Sequence, residues 1–339
     1  MKKSFRNRLL AVTAVAASSF LLLSGFDSAL TAEDVSEKTT AAIAEMGGLN
    51  CDVKGTADIS IDIAAGGETQ SLPITGSMDY SVQLLEDPLV MAVSGSMNGD
   101  ASAMGMAGGM SFEMYLTGQD DGTGVTYIRL LEGDDTAWHA AEVTAEDMTK
   151  ISGSVKASLS GDPAAATAQL GVDLSSIKDK IAANAVLTPE AVNVNGVDCY
   201  EITQTIDGDT LFAIISEVVK AMPEAGIDDT TLSYFQMLFA GIKMDAISDS
   251  SVETFAPVYA SIDLSGSDFS MIGQMFGAMM GGEDASQSAD ISVNVNALNL
   301  AMTYGDVPAQ IDIPAEALAA EVETTLSMND VSQAAEALE

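Results

Sequence analysis

Residues 53–63 alternate without interruption, with Val53, Ala57, Ile59, Ile61 and Ile63 on one parity and Lys54, Thr56, Asp58, Ser60 and Asp62 on the other. Side chains of a strand point to opposite faces in turn, so this period of two specifies a strand with one dry and one wet face. Such a strand belongs in an antiparallel sheet covered on one side. Similar strands are predicted at residues 76–84, 89–97, 104–117 and 125–131, punctuated by Glu86-Asp87-Pro88, Asn98-Gly99-Asp100, Gln119-Asp120-Asp121-Gly122 and Gly133-Asp134-Asp135.

The period then changes. Residues 144–159 and 167–183 read as helical or loose polar segments on either side of Gly161-Asp162-Pro163. Short strands at 192–194 and 197–205 flank Asn195-Gly196, a type I′ hairpin signal because both central residues need positive φ. A helix follows, capped by Asp209, with Leu211, Ile214, Ile215, Val218, Val219 and Met222 on one stripe. A second helix at 229–240 carries Leu232, Phe235 and Phe239 on one face. Strands return at 242–255 and 257–266, Ser267 caps a Met-rich helix at 269–280, and a long strand covers 290–304. Its apolar parity switches from Ile291, Val293 and Val295 to Leu298, Leu300 and Met302, which marks a bulge or bend. Pro314 opens a helix at 315–322, and an amphipathic piece from Asp330 closes the chain.

Two sheet-rich parts around a helical middle predict an α+β fold, a strongly curved antiparallel sheet with helices on its concave side. No linker divides residues 33–339, so one domain is expected. The chain is 47% hydrophobic and 19% charged, composition for a packed core rather than an acidic disordered tail. With 50 Asp and Glu against 13 Lys and Arg, the net charge of -37 excludes nucleic-acid binding through a basic face.

The N-terminus reads as an export signal over residues 1–32. Lys2, Lys3, Arg6 and Arg8 precede an uncharged run at 9–23, and Leu30-Thr31-Ala32 offers a cleavage site after Ala32. The run is shorter than the roughly 20 residues of a spanning helix, the rival reading being an uncleaved anchor. Leu23-Ser24-Gly25 leads into a lipobox, but Phe26 occupies the place of the lipid-accepting Cys, so lipidation is not expected. In a disulfide-permissive compartment Cys51 and Cys199 are expected either to bridge or to serve as two small buried hydrophobes.

The Asn195-Gly196-Val197-Asp198-Cys199-Tyr200-Glu201-Ile202 hairpin leads straight into an apolar helix, and Trp138 stands at a strand end before a helix. With Pro257-Val258-Tyr259-Ala260-Ser261-Ile262-Asp263-Leu264, Tyr304-Gly305-Asp306-Val307 and Ile311-Asp312-Ile313-Pro314, the layout resembles the LolA/LppX-type lipoprotein-carrier superfamily of exported bacterial proteins. The resemblance covers most of the chain after the export segment and contains no catalytic motif. It implies an unclosed β-barrel with helices as a lid over an apolar cavity, which in characterised relatives holds acyl chains.

Little catalytic chemistry is on offer. The single histidine, His139, adjoins the single tryptophan, Trp138, and lacks an evident nucleophile or second base. Asp120-Asp121-Gly122, Asp134-Asp135 and Asp207-Gly208-Asp209 lack the twelve-residue spacing of a calcium loop and read as turns. No glycine loop for phosphate precedes a helix, and no cofactor or metal is expected.

The unusual constellation is methionine, with 19 copies against 5% aromatics. Met104, Met106, Met110, Phe112, Met114 and Leu116 share one parity, and Met271, Met275 and Met279 lie in the Met-rich helix. Thioethers could hold Cu(I), but a soft apolar surface is what an adaptable groove uses. These residues are therefore expected to line a cavity for a lipid-like ligand, in an exported, non-enzymatic carrier associated with membrane or envelope components. The competing expectation is a structural or envelope interaction protein with a filled core and an acidic contact surface.

Overall fold

In the computed structural model the alternating segment is one long strand, β1 (Gly48–Ala65), which turns back into β2 (Glu68–Leu85). The structure describes residues 30–65, 68–102, 106–133, 135–159, 184–221, 229–274 and 290–326. The sheet continues with β3 (Val90–Ala101), β4 (Met106–Gly118), β5 (Gly124–Leu130), β6 (His139–Val143), β7 (Ala185–Leu187), β8 (Val192–Val194), β9 (Val197–Asp207), β10 (Lys243–Ser251), β11 (Pro257–Asp263), β12 (Asp290–Tyr304) and β13 (Val322–Leu326). The helices are α1 (Ala32–Met46), α2 (Ala145–Leu159), α3 (Gly208–Ala221), α4 (Asp229–Phe239) and α5 (Ala315–Leu318).

The strands form one sheet in the order β13-β6-β5-β4-β3-β2-β1-β12-β11-β10-β9-β7, with β8 sharing the edge of β9 that β7 also uses. Neighbours are antiparallel except β13, which pairs in parallel with β6. The ends of this order do not pair with each other, so the fold is the expected α+β open, curved antiparallel sheet.

Several local expectations are met. Asn195 and Gly196 have φ of 53° and 89°, as a type I′ turn requires. Between β1 and β12 the register slips where Asp58 faces Ala297 and Ile59 faces Val295, leaving Asn296 as the extra residue at the parity switch. Others are corrected. The cap of α3 is Asp207, whose carboxylate accepts from Thr210 N at 2.9 Å, two residues before the expected Asp209. The helix after Pro314 stops at Leu318, and the Val-Glu-Thr-Thr-Leu run is strand β13, in keeping with its β-branched content. Strands β6 and β7 were not anticipated. The expected segments at 167–183, at 275–280 and from Asp330 lie outside the described residues.

Register divides the sheet into two faces. The face called inner here carries Cys51, Val53, Gly55, Ala57, Ile59, Ile61 and Ile63 on β1, and the pairings extend it to Val82, Tyr80 and Met78 on β2, to Met302 and Tyr304 on β12, to Ala260 on β11, and to Ser248 and Ile202 on β10 and β9. Helices cover both flanks of this face. On one, Val35 of α1 packs with Ile202, Thr39 Oγ1 donates to Ser250 Oγ at 2.8 Å, and Ile214 of α3 packs with Ile206 and Met244. On the other, Met148 of α2 packs with Leu116 and Val143, in space left by Gly124. Helix α5 lies on the outer face, where Ala317 is fully buried against Val125, Tyr127 and Ala140.

The same register removes the expected Cys51–Cys199 bridge. Both are free thiols. Cys51 is on the inner face, while Cys199 pairs with Ser251 and lies three residues from Ile202, an odd separation that puts it on the outer face, with β12, β11 and β10 between the two cysteines' strands. Strands spaced about 4.8 Å apart separate them well beyond the roughly 7 Å limit for Cα atoms of a disulfide. They are instead small buried hydrophobes, 5% and 0% exposed.

Candidate functional site

The inner face between the two helix-covered flanks is built from β1 to β4, and its side chains stand in cross-strand rows. Leu84, Met91 and Leu116 form one row, Val82, Val93 and Met114 the next, then Tyr80, Gly95 and Phe112, then Met78, Met97 and Met110, then Gly76, Gly99 and Gly108. Each row follows from the period of two once the hairpins have set the register. The Tyr80 and Phe112 rings meet at 5.7 Å. In the next row Gly55 leaves space on β1 that the Met78 side chain occupies, with Leu300 approaching from β12.

Charge is segregated by face. Apart from Glu68 at the first position of β2, no Asp, Glu, Lys or Arg occurs among the inner-face positions of β1 to β4, whereas the outer face carries Asp52, Lys54, Asp58, Asp62 and Asp79, with Lys54 paired to Asp79 at 3.1 Å and Arg129 to Glu113 at 2.7 Å. Within the inner face Met97 is 45% exposed and Met110 38%. Burial pushes the Tyr80 hydroxyl above its ordinary range and the Cys51 thiol up to about 11, so neither supplies a charge there near neutral pH.

The structure separates the residues expected to line the site. Met110, Phe112 and Met114 share the apolar face, and Met110 is the most open of them. Leu116 is 4% exposed and belongs to the packed core beneath α2. The backbone of Met106 pairs with Ala101 at the start of β4. Met271 lies in helical residues 270–274, is 36% exposed, and follows β11 at the end of the sheet where Gly273 rests on the backbone of Ile291. Met104, Met275 and Met279 are outside the described residues. Sequence reasoning missed Met78, Tyr80, Met91, Val93 and Met97, although their parity within residues 76–84 and 89–97 carried the signal.

His139 opens β6 on the inner-face parity and its Nε2 lies 3.0 Å from Asp135 Oδ2, a hydrogen-bonded contact between residues four apart. Asp121 accepts from Thr123 N and Thr123 Oγ1 around Gly122 at φ 86°, which is turn chemistry. Among the described residues no group of three His, Cys, Asp or Glu side chains is arranged to hold a metal ion.

No protein-family model matches the chain, and no curated protein matches it in sequence. Solved structures align with most of the chain at low similarity. Lipoprotein LppX from Mycobacterium tuberculosis is 13% identical, with 82% of this chain and 96% of that one covered and a TM-score of 0.28. LprF from Mycobacterium bovis is 12% identical, with 89% and 97% covered and a TM-score of 0.32. A DUF1329 family protein from Desulfovibrio piger is 8% identical, with 82% and 94% covered and a TM-score of 0.20.

Proposed function

We propose that this chain is an exported, non-enzymatic protein that binds or carries a lipid-like molecule on the inner face of β1 to β4. The observation that carries the reading is the segregation of charge: from the row of Leu84, Met91 and Leu116 to the row of Met78, Met97 and Met110 the face holds no charged residue, Met97 and Met110 stand open on it, and the outer face is acidic. Methionine surfaces adapt to flexible apolar partners, and burying a hydrocarbon chain there gives about 25 cal/mol per Å² of apolar area removed from water.

The export reading of residues 1–32 supports a location outside the cytoplasm, in the envelope or secreted, and Phe26 in the place of a lipobox Cys supports a protein without a lipid anchor. Its partners are then an apolar small molecule and membrane or envelope components, with no cofactor. The test is titration of the delipidated protein with a fluorescent fatty acid, together with the Met97→Glu variant. Saturable uptake by the natural sequence and its loss in the variant support the reading. No uptake by either favours a structural module with a filled interior.

A further inference from the structure

We infer that the export cut falls N-terminal to Thr31, so that Thr31 and Ala32 remain in the mature protein as the start of α1. The inference rests on the export reading above and moves its boundary upstream from the bond after Ala32. Thr31 is the N-cap of α1, with extended backbone at φ -100° and ψ 168°. Its Oγ1 accepts from Asp34 N at 3.1 Å, and its own N–H donates to the Asp34 carboxylate at 2.8 Å, the reciprocal pair of a capping box. Its hydroxyl also donates to that carboxylate at 2.7 Å, and its carbonyl accepts from Val35 N at 3.1 Å. These bonds hold the Asp34 carboxyl below the usual carboxylate range.

The following side chains are core, not linker. Ala32 is 8% and Val35 0% exposed, packed with Ile202 and flanked by Leu187, Tyr200 and Phe255. A cut after Ala32 would remove the cap, the carbonyl that accepts the first helical bond and a buried methyl group. It would also leave a protonated α-amino group on Glu33 at the positive end of the helix dipole, where a cation is unfavourable. Backbone that is hydrogen-bonded and buried is a poor place for a chain end. A cut upstream has none of these costs, and Gly25 and Ala29 are small residues at which it can fall.

The test is N-terminal sequencing and intact mass of the protein from the extracytoplasmic fraction of its own host. A processed chain beginning at Thr31 or earlier is expected. An exported chain beginning at Ala32, Glu33 or beyond overturns the inference while leaving export intact, and an uncut chain confined to the cytoplasm overturns both. As a second measurement, purified forms beginning at Leu30 and at Glu33 are compared by thermal unfolding. The shorter form is expected to melt about 2–4 °C lower, as loss of a cap does in a domain of this size, and equal midpoints contradict the argument.

Discussion

The rings of Tyr80 and Phe112 meet at 5.7 Å although β3 runs between their strands, because the residue between them is Gly95. A Cβ at Gly95 would strike the Tyr80 ring and backbone and the Asp79 carbonyl. Gly95→Val is therefore expected to force the pair apart and destabilise the fold by about 1–3 kcal/mol, the usual cost of overpacking. Chemical denaturation measures it, and an unchanged midpoint would mean that the aromatic bridge is not a fixed part of the inner face.

Met97 and Met110 face each other on β3 and β4 and remain open. Met110→Glu should leave the unfolding midpoint within about 0.5 kcal/mol, as exposed substitutions do. It should weaken binding of an apolar ligand at least tenfold, since a bound chain would desolvate the new carboxylate. Paired measurements of fatty-acid binding and thermal unfolding separate the two effects; binding unaffected by the substitution would place the ligand elsewhere.

Asp249 is 2% exposed on the outer face beside Glu201 of β9, and its Oδ1 has no hydrogen-bond partner among the described residues. Burial, reinforced by Glu201, pushes its carboxyl up to about 6. The folded state thus binds this proton more tightly than the unfolded chain. The ionised form carries no penalty below about pH 4, a growing one up to pH 6 and a constant one above. Asp249→Asn is expected to stabilise the protein at pH 7.5 by about 2 kcal/mol and to lose that advantage near pH 4. Denaturation curves at the two pH values check the sign, and an Asn variant less stable at pH 7.5 would refute it.

Cys51 and Cys199 are buried on opposite faces, and burial raises both thiols above their ordinary range. Neither should react with a thiol reagent at pH 8 in the folded protein, and both should react after unfolding without reductant. A protein with no titratable thiol in denaturant would contradict the strand register that separates them.

Period-two alternation made β1 to β5 legible, and Asn195-Gly196 made the β8–β9 turn legible, because the signals are local. Strands β6, β7 and β13 are short and are defined by their pairing with β5, β9 and β6 rather than by a local pattern. The Met-bearing parity of β4 could be read from residues 104–116, but not its alignment with Met78 and Met97, which depends on two turns. The cysteines required more, since their relative sidedness accumulates over four strand pairings, one of them β1 with β12 and its bulge.

The central claim is that the inner face of β1 to β4 holds an apolar ligand. Native mass spectrometry of the protein taken from its own extracytoplasmic fraction, before and after organic extraction, tests it most directly. The account predicts a non-covalent adduct of lipid-like mass that extraction removes and that the Met97→Glu variant does not acquire. A bare polypeptide mass both before and after extraction, with no uptake on re-addition of lipid, would contradict it.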